Sequence, residues 1–349
     1  MPLRRNGDSI IVNAYNNMDC AYKKIKKMNI KDLRQNKYLS HLFVIRDKIM
    51  SSLGLFSLKS KIKYFFFCRR LIIEDYFKKK KIEKEIYNMP DKIINTKIEN
   101  DEIIVSLTSY GKRLTDTLPY MLYSLLVQTQ LPKKVVVFLD KDNWSETKLP
   151  KILKKIARLG VEFIYCEDLK SYKKIIPALK MFPNNPILIF DDDFYYHPNF
   201  IEWMTKAYEK SDKRTIIGTW GCIPEKKDGK YLPYNEWKDC KLGDNNSPIS
   251  FKSGYGTLFP PNVFDDEIMN DKVFVKLCPT ADDIWFWIMM ERQSVPRMYI
   301  ENYGYGIHTP INRVAAYEIT SDKCLTVTNV INGQNNKQCA DLLRYYNLN

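Results

Sequence analysis

From residue 103 onward, short β-branched apolar runs alternate with stretches whose apolar residues recur at helical spacing. Ile103-Ile-Val-Ser-Leu, Lys134-Val-Val-Val-Phe-Leu, Val161 to Tyr165 and Ile187-Leu-Ile-Phe read as strands. Leu118 to Val127, Leu149 to Leu159 and Tyr172 to Met181 read as the helices between them. Strand-helix-strand order repeated with strands that are apolar throughout predicts an α/β fold, a mainly parallel sheet flanked by helices on both faces. Ligands bind such sheets outside the carboxyl ends of the strands.

Residues 15 to 88 follow a different pattern. They contain one glycine, Gly54, and no proline, and they mix Lys with Ile, Leu, Phe and Tyr at roughly helical spacing, so two or three basic helices are expected there. In Lys59 to Ile73 an aromatic cluster lies between basic residues, and Lys78 to Lys81 follow directly. Met89-Pro90 and the polar run Asn95 to Asp101 mark a boundary. The expected division is a basic helical N-terminal segment, residues 1–98, and an α/β domain with a C-terminal extension, residues 99–349.

Composition and charge refine this division. Of 349 residues 45% are hydrophobic and 28% charged, enough to bury a sizeable core. The formal charge of +14 is unevenly placed: residues 1–100 hold 23 Lys+Arg and 10 Asp+Glu, while the remaining 249 hold 32 and 31. An anionic partner is therefore expected for the N-terminal end only. A basic helix with an aromatic face suits an anionic membrane surface; a helical arm packed on the main domain with a solvated Lys face fits equally well. Nucleic acid is not expected, because no recognisable nucleic-acid module accompanies the charge.

Eight scattered cysteines without a C-x-x-C pair, and with no His at zinc spacing, argue against a zinc knuckle and for a reducing compartment. Ser9 to Ala14 is too short for the apolar part of a signal peptide, and no stretch reaches the roughly 18 apolar residues of a transmembrane helix. A cytoplasmic location is expected, with any membrane contact peripheral.

Three strands run into chemically informative residues: the first into Thr108-Ser-Tyr-Gly-Lys-Arg113, the second into Asp140, the fourth into Asp191-Asp-Asp193. Unpaired, three adjacent carboxylates repel one another, and a divalent cation resolves that. Side chains alternate along a strand, so Asp191 and Asp193 can point the same way and hold one Mn²⁺ or Mg²⁺ whose open positions take diphosphate oxygens. The competing reading is a carboxylate cluster capping the helix that starts near Pro198. Asp282-Asp283 opens the very apolar Ile284-Trp-Phe-Trp-Ile-Met-Met, where a helix dipole favours negative charge; plain capping by Thr280 or Asp282 is the alternative. In Ser253-Gly-Tyr-Gly-Thr, Gly254 and Gly256 would let the backbone approach a ligand and Tyr255 could stack on a sugar, or the segment is a structural turn. Trp220 is a further pocket candidate. Lys174 and Lys180, flanking the stretch before the fourth strand, could neutralise a phosphate or the acceptor but read first as a solvated helix face, and His197 beside Pro198 reads as a helix-start residue.

These residues resemble the GT-A-fold nucleotide-sugar glycosyltransferases, particularly family-2-like bacterial enzymes, over about residues 101 to 310. The carriers are Ile104 to Tyr110 with Arg113, Leu118 to Gln130 followed by Pro132, Val135 to Asp140, Leu188 to Asp193 with Pro198, and Thr280-Ala-Asp-Asp-Ile-Trp. The resemblance implies nucleotide-sugar contacts from Thr108, Ser109, Tyr110, Arg113 and Asp140. It makes Asp191 and Asp193 the outer residues of a D-x-D metal motif, with Asp192 between them. It implies a catalytic base of an inverting reaction at Asp283, with Asp282 as the alternate. Because many such enzymes place a late His on the cation or diphosphate, it also implies His308 as a third metal group. The implied substrates are a nucleotide-sugar donor and a glycan or glycolipid acceptor. Lys/Ile/Asn-rich composition fits an AT-rich bacterium assembling a surface glycan at the inner face of its membrane.

Walker, dinucleotide, nucleophile-elbow and zincin motifs are all missing, which removes the usual supports for ATPases, dehydrogenases, α/β-hydrolases and zinc proteases. Two rivals stay open: a sugar nucleotidyltransferase, which usually has more glycines than the one in Ser106 to Arg113, and a non-enzymatic membrane-surface adaptor.

Overall fold

The computed structural model describes residues 58–96, 102–240, 248–300, 308–314, 329–330 and 332–348. The chain divides into two units, Met1–Lys63 and Tyr64–Asn349, and the second carries every described side chain. The helices expected before residue 58, with Cys20 and His41, lie outside the described residues, as does the glycine-flanked stretch just before His308.

The sheet is built from strands whose residues are apolar on both faces. β1 (Ile104–Thr108), β2 (Lys134–Asp140), β3 (Val161–Cys166) and β4 (Ile187–Phe190) are mutually parallel. With three further strands they form a seven-stranded sheet in the order 297–299, 216–218, 255–259, β4, β1, β2, β3. Only the strand Tyr255–Phe259 runs against its neighbours, so the sheet is mixed and mainly parallel.

Alternation along each strand divides the core into two layers. Val105, Leu107, Val135, Val137, Leu188 and Phe190 face one layer, with Met121, Leu125, Ile156 and Met204 from the helices. Ile104, Val136, Phe138, Ile187 and Ile189 face the other, with Tyr172, Phe274, Trp285 and Trp287. Burial on both faces is why these strands read as unbroken apolar runs.

Two predicted helices are shorter than their apolar pattern. Leu149 to Leu159 contracts to Lys151–Arg158 behind Pro150. Tyr172 to Met181 splits into a 3₁₀ turn, Lys170–Lys174, and a helix, Ile176–Met181. Pro177, which lacks an N–H and clashes with a preceding turn, sits in the first turn of that helix, where it is tolerated.

Before the sheet runs α1 (Leu58–Asn88). Ile82 and Ile86 are buried in the first core layer. Asp75 receives the backbone N–H of Arg313 at 3.0 Å and its Nε at 2.6 Å, and Tyr120 donates to Glu83 at 2.7 Å. Among the described residues no helix is long and apolar enough to cross a membrane.

Candidate functional site

The chain order places β1 between β4 and β2, so the direction of winding reverses between β1 and β4. A crevice opens at the carboxyl edge of such a reversal. Parallel pairing of Ser106 with Ile189 brings the residues after β1 beside those after β4. There Ser109 Oγ donates to Asp192 Oδ2, and Arg113 reaches Asp192 Oδ1 at 2.5 Å and Asp193 Oδ2 at 3.1 Å. Asp192 is buried; burial raises its pKa, while Arg113 and Ser109 pull the other way. Burial, together with the charges of Asp191 and Asp192, pushes Asp193 up to about 7 against the pull of Arg113. Asp193 Oδ1 is buried without a hydrogen-bond partner.

Asp191 sits where Tyr255–Phe259 turns back along β4. Its N–H donates to the Gly254 carbonyl at 2.7 Å, and that carbonyl also accepts the Tyr196 hydroxyl at 2.8 Å. The room that Gly254 leaves is filled by the Asp191 carboxylate, and the room at Gly256 by the Phe200 ring. Gly256 also holds φ +100°, a conformation open to glycine.

Lys174 joins this edge to a second one. It is buried, and its Nζ lies 3.2 Å from Asp191 Oδ1 and 3.0 Å from Asp282 Oδ2. Burial works against its charge, but Asp191, Asp282 and Asp283 more than offset that and hold its pKa well above the ordinary value. The solvated-face expectation for Lys174 is therefore overturned, although Lys180 is exposed. The apolar neighbours Tyr172, Ile175 and Ile176 were the available signal, since all three are buried and leave the turn no wet side.

The helix Asp282–Arg292 supplies the second edge. Its N-cap is Ala281 with no side-chain cap, and Thr280 instead bonds to Asn329 and Gln338, so the acidic pair is not a capping device. The helix after Pro198 is likewise uncapped by Asp191 to Asp193. Asp283 Oδ1 accepts the Ser253 N–H at 2.9 Å and the Ser253 hydroxyl. Burial and the Asp282 charge raise Asp283 to about 6. Trp285 and Trp287 are fully buried core residues.

Next to Gly254, Tyr255 packs 4.6 Å from Trp220 and 4.7 Å from His308, ring centre to ring centre. Its pKa is raised by burial and by the charges of Asp191, Asp193 and Asp283. His308 pairs in register with Tyr196 and packs among Phe194, Trp220 and Tyr255. Among the described residues no three His, Cys, Asp or Glu side chains form a ready-made metal cage, and Asp191, Asp193 and His308 are not brought together as one.

The remaining β1 and β2 residues are mostly engaged within the protein. Thr108 Oγ1 donates to the Phe138 carbonyl at 2.8 Å, and Asp140 accepts from the Asp142 N–H at 2.8 Å and from Asn143. Tyr110, 58% exposed, presents its ring to solvent. Gln128 ties Leu118–Leu126 to the next helix: Nε2 donates to the His197 carbonyl at 2.8 Å and Oε1 accepts the Ile201 N–H at 3.0 Å. His197 Nδ1 accepts the Asn199 N–H at 3.1 Å, at the start of the helix Phe200–Lys210.

A mainly parallel sheet reversing between β1 and β4, with carboxylates massed at that edge, is consistent with a GT-A fold. Residues 103–266 match the family model of glycosyl transferase family 2, a little under half of the chain. No curated protein matches the sequence. Among solved structures, CMP:2-keto-3-deoxy-manno-octonic acid synthetase complexed with CTP shares 10% identity at a TM-score of 0.39, covering 62% of this chain and 95% of that one. A mannosyltransferase from Pyrobaculum calidifontis in complex with GDP-Man and Mn²⁺ shares 12% at 0.38, covering 67% and 66%. Glucosyl-3-phosphoglycerate synthase from Mycobacterium tuberculosis in complex with Mn²⁺, UDP and phosphoglyceric acid shares 12% at 0.28, covering 38% and 48%. Likenesses this distant put no functional weight on any one of them.

Proposed function

We propose that the protein is a metal-dependent, inverting glycosyltransferase that moves a sugar from a nucleoside-diphosphate sugar to a hydroxyl of a growing surface glycan in the cytoplasm. The observation that carries this reading is the pair of acidic edges, Asp191 to Asp193 and Asp282-Asp283, joined through the buried Lys174. One edge suits a donor diphosphate with its cation, the other an acceptor hydroxyl.

Charge supports the cation. Five carboxylates face two bases, Arg113 and Lys174, so a diphosphate would meet a surplus of negative charge. Asp193 Oδ1, buried and unpartnered, is an oxygen such an ion would satisfy. Mg²⁺ and Mn²⁺ are commonly held by one or two carboxylates plus substrate phosphates, so Asp191 and Asp193 suffice; His308 would have to leave its aromatic cluster to join them. When bound, the ion would stabilise the charge developing on the leaving diphosphate.

The chain's own groups do the rest. Arg113 fixes Asp192 and Asp193, and Lys174 fixes Asp191 against Asp282. Ser253 orients Asp283, whose pKa near 6 keeps it ionised at neutral pH yet basic enough to take a proton. The acceptor oxygen bonds to the anomeric carbon as Asp283 takes its proton, and the bond from that carbon to the diphosphate oxygen breaks with its electron pair. Trp220 and Tyr255 offer aromatic faces to the sugars, and Tyr110 offers one to the nucleotide base.

The test is a panel of UDP-, GDP- and CMP-sugars, with and without Mn²⁺, read by thermal stabilisation and by release of UDP, GDP or CMP; release of CMP would mean a nucleoside-monophosphate donor. Metal-dependent stabilisation by one donor, lost in Asp193→Asn, supports the proposal. Release of pyrophosphate from a nucleoside triphosphate and a sugar phosphate would identify a nucleotidyltransferase instead.

A further inference from the structure

Helix α1 has two apolar faces, and the domain uses one. Leu71, Asp75, Ile82 and Ile86 are buried against the core. Phe65, Phe66, Ile72, Ile73, Tyr76 and Phe77 are each more than half exposed. At 3.6 residues per turn these six positions share a sector of about 140° roughly opposite the buried stripe. Basic residues stand among them. Arg69 lies over the Phe65 ring at 5.2 Å; Lys80 lies over the Tyr76 ring at 5.8 Å while pairing with Glu83 at 2.7 Å; and Lys84 falls in the same sector one turn further on. A contiguous patch of exposed aromatic side chains marks an interaction surface.

We propose that this face of α1 docks on an anionic phospholipid surface, with the helix lying in the headgroup plane. Aromatic and aliphatic side chains interleaved with Arg and Lys are what a helix at the bilayer interface requires: rings enter the headgroup boundary and cations meet phosphate. Charge disfavours the other occupants. A second copy would set Arg69, Lys80 and Lys84 against their own counterparts. Residues 1–57 carry eleven Lys or Arg against four Asp or Glu, the same sign as the face they would have to cover. The helix does not qualify as a membrane span, so its contact is with the surface. The inference is independent of the proposed chemistry.

Co-sedimentation of the full-length protein with phosphatidylcholine vesicles, with and without phosphatidylglycerol, tests it at about 0.1 M and about 0.5 M salt. Binding is expected to the anionic vesicles only, and to weaken with salt. The variant Phe66→Ser/Ile73→Ser/Phe77→Ser should bind at least about tenfold more weakly at an unchanged melting temperature, since these side chains meet solvent. Arg69→Gln should cost about fivefold. Equal binding to neutral vesicles, undiminished binding of the triple variant, or loss confined to Lys23→Gln/Lys24→Gln/Lys26→Gln/Lys27→Gln would overturn the proposal. So would concentration-dependent dimerisation in light scattering that the triple variant abolishes, which would make a second copy the occupant.

Discussion

A methyl group added at Gly254 would stand 2.0 Å from the carboxylate of Asp191, while the Gly254 carbonyl accepts the Asp191 N–H at 2.7 Å. One glycine thus fixes both the backbone and the side-chain position of a carboxylate in the proposed donor site. Gly254→Ala is expected to drive the Asp191 side chain out of its place beside Lys174. Overpacking of this kind costs about 1–3 kcal/mol. Urea unfolding should show that loss, and Mn²⁺-dependent donor binding should fall by about tenfold or more by calorimetry. Unchanged donor binding would remove Asp191 from the site.

Lys174 is the cation on which both acidic edges close. Lys174→Met leaves Asp191 and Asp282 without their shared partner, and breaking a buried ion pair from one side costs about 3–5 kcal/mol. The loss should be largest at neutral pH and shrink toward pH 5, because Lys174 also holds down the pKa of Asp283, which is already raised to about 6 and rises further without that cation, so Asp283 takes up a proton in this range. Chemical denaturation at the two pH values measures this. A loss that is the same at both would mean that Lys174 contributes packing and not charge.

The parallel sheet was legible because its strands are buried on both faces and so carry unbroken apolar runs. Asp191 to Asp193 stood out for the same reason: nothing but a strand end delivers three carboxylates after Ile-Leu-Ile-Phe. Lys174 was misread because sequence shows residue type but not the depth of a turn, and a lysine is buried only where distant carboxylates compensate it. The two Asp in its contact lie 17 and 108 positions away, so no local pattern contains the bridge. Gly254 was legible as a close approach, but the group approaching is the protein's own Asp191.

The two faces of α1 contribute unequally to stability. Ile86 is fully buried in the same layer as Val105 and Val137, whereas Phe77 is 66% exposed on the same helix. Ile86→Ala is expected to destabilise the α/β domain by about 2–5 kcal/mol, and Phe77→Ala by less than about 0.5 kcal/mol. Thermal or urea unfolding of the full chain measures both. If the two cost the same, α1 is not part of the cooperative domain.

Asp283 ties activity and stability to pH with opposite signs. A base must be ionised to accept a proton, so kcat/KM is expected to rise with pH through about 6 and level off above it. Asp283→Asn should lower kcat by about 10²–10⁴ and remove that limb of the profile. Stability runs the other way. The folded-state pKa is raised from 3.8 to about 6, so the folded protein binds the proton more tightly than the unfolded chain. The resulting contribution is fully present below the unfolded value and is lost as pH rises through about 6. Asparagine keeps an acceptor for the Ser253 N–H and hydroxyl but carries no charge beside Asp282. Asp283→Asn is therefore expected to melt higher than the unaltered protein at pH 7.5, with the difference closing toward pH 4, even though its kcat is lowered. An inactive variant that is also less stable at pH 7.5 would show that Asp283 is held for structure, and the base would have to be sought elsewhere on that edge.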